Sequence, residues 1–199
     1  DIDDIEIELD YQTMTHILTH HSTQLSNIVR VINKSSHNLF SELLLKTIGY
    51  ETSGYGTIQN GVNASKKIFA EMGINPENLI MADGSGLSRL NLVTPKQLST
   101  LLGYLYKSDY FIPFFNSLPI AGIDGTLGTR MKNTRAENNV RAKTGYIGGV
   151  RSLAGYVYSG DYEPVAFSMI VNNFTVPLKL ADNIQDLVLR RLANFKRIQ

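Results

Sequence analysis

The chain has 199 residues, enough for one domain or a large part of one. Its hydrophobic fraction is 43% and its formal net charge +1, with the basic residues scattered apart from Arg190, Arg191, Lys196 and Arg197. That excludes a nucleic-acid surface, which needs concentrated positive charge. The absence of cysteine excludes disulfides and thiolate metal sites, and no apolar run is long enough to span a bilayer.

In chain order, Ile5 and Ile7 alternate with acids, a half-buried strand pattern. The acidic opening reads as an edge strand or linker, so the chain is expected to be a piece of a longer protein. Leu25, Ile28, Val29 and Ile32 stand at helical spacing, broken at 33–36. A second helix carries Leu39, Phe40, Leu43, Leu44 and Ile48, with Gly49 as its expected stop. Ser36 and Asn38 lie at its entry, where short polar side chains cap.

Residues 52–61 read as a loop, Val62 to Met72 as a short helix stopped by Gly73, and 79–81 as a short buried strand. The strand runs into the loop Asp83-Gly84-Ser85-Gly86-Leu87-Ser88-Arg89, in which Asp83 is expected to brace the backbone. Gly84-Ser85-Gly86 lacks the spacing of a nucleophile elbow and no phosphate-binding Gly-Lys follows. Thr94-Pro95-Lys96-Gln97 forms a capping box with proline at the first helical position, followed by a core face of Leu98, Leu101, Leu102 and Leu105.

A short helix is predicted over 112–118 and an irregular glycine-containing stretch over 122–128. Strands follow at 139–144, 152–158 and 164–171, the last two joined by a hairpin at 159–162. A final helix starts near Pro177 and is expected to bury Ala181, Ile184, Leu187, Val188 and either Leu192 or the aliphatic stem of Arg191. Helices, an antiparallel sheet and a closing helix give an α+β class.

Lys143-Thr144-Gly145 carries the strongest chemical signal. A lysine on a strand offers a fixed charge beside a hydroxyl, suited to a substrate carboxylate. Gly145 lets a substrate backbone approach the strand, and the N–H of Tyr146 is a candidate oxyanion donor. The plain alternative is a surface strand that contains these residues. Ser36-His37-Asn38 reads either as a cap or as a proton-carrying hydroxyl beside an amide donor. His16 and His20 are four apart, but no carboxylate stands at ligand spacing, so no metal site is expected.

Four segments fall in the order seen in one family: Ser36-x-Asn38, the 83–89 loop, 118–127 around Asp124-Gly125-Thr126-Leu127, and Ala142-Lys143-Thr144-Gly145. Together they resemble the class C low-molecular-mass penicillin-binding proteins, the D-alanyl-D-alanine carboxypeptidase/endopeptidases. The resemblance runs from about Tyr11 to the last helix and is most specific in the 83–89 loop. It implies the C-terminal part of a β-lactamase/transpeptidase-like fold, an antiparallel sheet flanked by helices, with residues 1–199 as one portion of that domain.

The resemblance also implies roles. Ser36 would relay a proton to the leaving amine, Asn38 would bind the substrate amide, and Lys143 with Thr144 would receive the terminal carboxylate. Tyr146 N–H would supply half the oxyanion hole, and Arg89 would contact the stem peptide. The family's nucleophilic S-x-x-K has no match, since no serine here is followed three residues later by lysine. His37 stands where the family often has aspartate. The implied partners are peptidoglycan stem peptides and β-lactams, with no metal or organic cofactor and a periplasmic or cell-envelope setting. A non-catalytic peptidoglycan-binding module and a β-lactamase-like hydrolase stay open as alternatives.

Overall fold

The computed structural model describes residues 13–197, so the strand expected at Ile5 and Ile7 lies outside the described residues. Among the described residues five α-helices precede the sheet: α1 (Leu25–Ser35), α2 (Asn38–Ser53), α3 (Ile58–Glu71), α4 (Pro95–Tyr106) and α5 (Phe111–Ser117). Strands β1 (Arg141–Ile147), β2 (Val150–Tyr158) and β3 (Pro164–Asn172) form an antiparallel sheet in the order β1-β2-β3, and α6 (Leu178–Asn194) closes the chain. The α+β expectation holds, and no helix among the described residues is long and apolar enough to cross a membrane.

Strand alternation divides the sheet into two faces. Ala142, Leu153, Val157 and Phe167 pack with Leu189 and Ala193 of α6. On the opposite face Tyr156, Ala154 and Ala166 meet Leu102 of α4 and the phenylalanines of α5. The Tyr156 hydroxyl donates to Leu102 O at 2.8 Å, tying α4 to the sheet centre.

Several sequence expectations are corrected. Gly49 does not end α2, which continues to Ser53 and stops at Gly54, φ 77°. Gly49 is instead where α3 crosses: a Cβ there would lie 2.8 Å from Gly61 N. The predicted 52–61 loop is accordingly only the short link between Ser53 and Ile58. Leu39 and Leu43 are exposed, while Leu45 and Gly49 form the buried side. The strand at 79–81 is a single bridge, Ile80 to Leu92, with only Leu79 buried.

β1 starts later and runs further than predicted because Asn139 imitates a strand residue with its side chain. Its amide donates to Tyr158 O and accepts from Tyr158 N–H, at 2.9 and 2.8 Å. The buried line of α6 is Ala181, Gln185, Leu189 and Ala193, while Ile184, Leu187 and Val188 are exposed. Small residues let this helix approach the sheet closely. Gln185 is buried because Arg130 and the Arg151 carbonyl satisfy its amide.

Candidate active site

The candidate site begins where α1 ends. Ser36 takes the left-handed conformation, φ 55° and ψ 51°, and its N–H closes α1 onto Ile32 O. This reversal costs a non-glycine residue about 1 kcal/mol and turns the chain directly into α2. Neither Ser36 nor Asn38 caps that helix, contrary to the plain expectation. His37 does so: its Nδ1 accepts from Phe40 N–H at 3.3 Å, and its ring centroid lies 4.1 Å from that of Phe40. With the capping role taken, the Ser36 hydroxyl accepts from Lys143 Nζ at 2.6 Å, across a separation of 107 residues. Asn38 stands exposed at the start of α2, and its side-chain amide has no hydrogen-bond partner among the described residues.

Lys143 also donates to Thr144 O at 3.1 Å. Burial lowers the pKa of its ammonium, and the positive charge of Arg151 lowers it further. Alternation sends the neighbouring Thr144 side chain to the other face, so its hydroxyl does not share the Lys143 face. It is 8% exposed and donates to Thr126 Oγ1 at 2.9 Å. Gly145 pairs across the strands with Ser152, and a Cβ at 145 would run into the Ser152 hydroxyl. A side chain at 145 would thus displace the Ser152 hydroxyl, whose Cβ stands at an ordinary 3.6 Å.

Among the described residues β1 is an edge strand whose first half is covered. Ala142 N–H donates outward to Pro119 O, and Ala121 N–H reaches Val140 O. In an antiparallel ladder, alternate residues face the same edge. Thr144 and Tyr146 therefore present their N–H groups beyond the cover of 119–121, on the open part of that edge. Tyr146 itself is 55% exposed.

The 83–89 loop lies between α2 and the β1–β2 turn. Asp83 braces it as expected: Oδ1 accepts from Gly86 N–H at 2.6 Å and Asn91 Nδ2 at 2.9 Å, and Oδ2 from Ser88 N–H at 2.7 Å. Burial acts to raise the Asp83 pKa, but these hydrogen bonds outweigh it and the net shift is downward. Glu42 of α2, absent from the sequence-based candidates, accepts from Gly84 and Ser85 N–H and latches the loop to the Ser36–Asn38 helix. Arg89 then reaches across to the β1–β2 turn, where a Cβ on Gly148 would lie 2.8 Å from its Nη2.

A second adapter joins α1 to β1. Lys34 Nζ lies 2.7 Å from both Asp124 oxygens, and Asp124 Oδ1 accepts from Ile120 N–H. Ile120 in turn bridges to Arg141. The Asp124 pKa is lowered on balance: burial opposes, while Lys34, the Ile120 N–H and the charge of Arg141 prevail. No short motif points to Lys34 or Glu42, whose partners lie 90 and 42 residues along the chain.

The structure thus joins Ser36 to Lys143, sets Asn38 two residues on at the start of α2 and Arg89 against Gly148 of the β1–β2 turn, and turns Thr144 to the other face. The chain is similar to the D-alanyl-D-alanine carboxypeptidase of Actinomadura sp. (strain R39), 38% identical over 194 residues, which cover 95% of this chain and 36% of that protein. It is 35% identical to the D-alanyl-D-alanine carboxypeptidase DacB of Haemophilus influenzae, over 78% of this chain and 33% of that protein. It therefore spans about a third of the length of these relatives.

Among solved structures, penicillin binding protein 4 from Haemophilus influenzae, complexed with a β-lactam, superposes with a TM-score of 0.77 at 32% identity. The match covers 85% of this chain and 41% of that one. The TLA-3 extended-spectrum β-lactamase, at 16% identity and a TM-score of 0.61 over 86% of this chain and 62% of its own, shares the fold. The motif order, the α+β architecture and the match of residues 2–194 to the family model agree: the chain belongs to the D-Ala-D-Ala carboxypeptidase 3 (S13) family.

Proposed function

We propose that the whole protein is a serine-type D-Ala-D-Ala carboxypeptidase/endopeptidase acting on peptidoglycan stem peptides in the periplasm or cell envelope, and that β-lactams acylate it. Residues 1–199 supply two walls of the active site within a transpeptidase-like domain. The nucleophile and its lysine base come from an S-x-x-K outside these residues. The observation that carries this reading is the Lys143–Ser36 hydrogen bond beside an open strand edge: a polarised hydroxyl next to a place where a peptide backbone can add.

A substrate lies along β1 with its terminal carboxylate at the Lys143 ammonium and the open-edge Thr144 N–H. Asn38 holds its amide, and Arg89 holds a carboxylate further along the stem. The serine oxygen forms a bond to the scissile carbonyl carbon as the S-x-x-K lysine takes its proton, and Tyr146 N–H donates to the oxyanion. As the C–N bond breaks, Ser36 passes a proton to the leaving amine and is reprotonated through Lys143, and the proton taken from the nucleophilic serine restores the pair. The lowered pKa of Lys143 suits this exchange. Water then hydrolyses the acyl ester, releasing the shortened peptide and the serine.

The test is intact-mass analysis after incubation with labelled penicillin. The whole protein is expected to gain one adduct, and Ser36→Ala to slow its formation by about 10²–10⁴-fold, the usual worth of a positioned proton carrier. Residues 1–199 alone are expected to gain none. An adduct on Ser36 itself would overturn the assignment, and a whole protein that forms no adduct would instead be a binding module.

A further inference from the structure

We infer that the cavity between α6 and residues 129–134 is a binding site for an extended phosphate-bearing chain, on the sheet face away from Lys143. The site does not depend on the function proposed above. The cavity measures about 500 Å³, a size that holds a ligand of several units. One wall is a single stripe of α6, where Lys179, Asp182, Asp186 and Arg190 follow at helical spacing. From Lys179 to Arg190 the stripe runs about 16 Å. The facing wall carries Thr129 and Lys132, and Thr126 joins the cavity to β1 through Thr144.

Five basic and two acidic side chains line this space, in a chain whose net charge is only +1. Both acids are already engaged. Asp182 Oδ1 lies 2.7 Å from Arg151 Nε and 2.9 Å from Arg130 Nη1, and Asp186 Oδ1 lies 2.6 Å from Arg130 Nη2. These two arginines are largely buried and form the floor. Lys132, Lys179 and Arg190 are exposed and have no carboxylate partner among the described residues. Three positive charges are thus left, one at each end of the stripe and one on the facing wall.

The remaining donors select phosphate. A planar carboxylate pairs best with an arginine fork, and both forks of the floor are occupied. Thr126 accepts from the Thr144 hydroxyl, so its own hydrogen is free to donate. Thr129 and the Asn183 amide have no hydrogen-bond partner among the described residues. Tetrahedral phosphate oxygens meet such donors from both walls at once. A single anion would reach one end of the stripe, whereas a chain of phosphates meets all three cations. No aromatic side chain lines the cavity among the described residues, so a nucleic-acid strand finds no stacking platform.

Isothermal titration of the whole protein with inorganic polyphosphate, at low ionic strength, tests the site. One polyphosphate chain should bind per protein, more weakly as salt rises. Inorganic phosphate, polyglutamate of matched charge and a single-stranded oligonucleotide should each bind at least about 10-fold more weakly. Lys179→Glu and Arg190→Glu should each weaken polyphosphate by about 5-fold, the worth of one exposed ion pair. Together they should weaken it by about 25-fold, since the two positions are too far apart to couple. Arg191→Glu reverses an exposed charge one position along α6, outside the cavity, and should change the affinity by less than about 2-fold. Equal weakening by Arg191→Glu, two chains bound per protein, polyglutamate or oligonucleotide bound as tightly, or no polyphosphate bound would each overturn the inference. Penicillin uptake is read separately, and its absence would remove the function proposed above while leaving this site standing.

Discussion

Replacing Asp83 by alanine tests how the 83–89 loop is held. Its carboxylate accepts three hydrogen bonds of 2.6–2.9 Å, from Gly86 N–H, Ser88 N–H and the Asn91 amide. Hydrogen bonds to a charged acceptor contribute about 1.5–3 kcal/mol each when shielded. Gly86 is exposed and Ser88 and Asn91 only half-buried, so water replaces much of that loss. About 1 kcal/mol per bond is appropriate, or about 3 kcal/mol for the set. Because the loop can open without unfolding the rest, this energy is read locally.

Hydrogen exchange of the Gly86 and Ser88 amides should therefore quicken by about 10²-fold in Asp83→Ala. The Gly84 and Ser85 amides are held by Glu42 and serve as internal controls with near-parental protection. In the parent protein the folded pKa of Asp83 is below its unfolded value, so this bracing is fully present above about pH 4. It is lost as pH falls through the lowered folded pKa. Unchanged exchange at Gly86 and Ser88, or equal acceleration at all four amides, would refute the reasoning.

Two further outcomes follow. Lys143 has a folded pKa below its unfolded value of about 10.4, so in the window between them the unfolded chain binds more protons and stability rises with pH. Urea midpoints of Lys143→Met should lack that alkaline rise, and identical slopes for variant and parent would contradict it. Arg89→Ala should raise KM about 10-fold for stem peptides with a side-chain carboxylate and spare neutral ones, and equal change for both in steady-state kinetics would reject the contact.

The elements were largely legible because their signals are local. The Thr94 capping box, the hairpin after Tyr158 and the α1 spacing all appear where the sequence puts them. Failures came where a distant partner decided the outcome. Gly49 looks like a helix stop, yet it is a crossing point because Gly61 lies against it. Ile184, Leu187 and Val188 look like a core stripe, yet the sheet takes the side bearing Ala181 and Ala193. At the site, motif order was enough to pair Ser36 with Lys143. It could not show that His37 would take the capping role, or that Thr144 would turn toward Thr126.

The separation of Ser36 from Lys143 also bears on the order of assembly. The hairpin of β2 and β3 and the pair α2–α3 close over short stretches of chain, so their formation costs little loop entropy. The bonds that make the site span 107 residues for Ser36–Lys143 and 90 for Lys34–Asp124. They require both halves to be formed already. The Ser36–Lys143 site should thus be among the last parts to organise, and a chain arrested late in folding would hold nearly native secondary structure around an unmade candidate site.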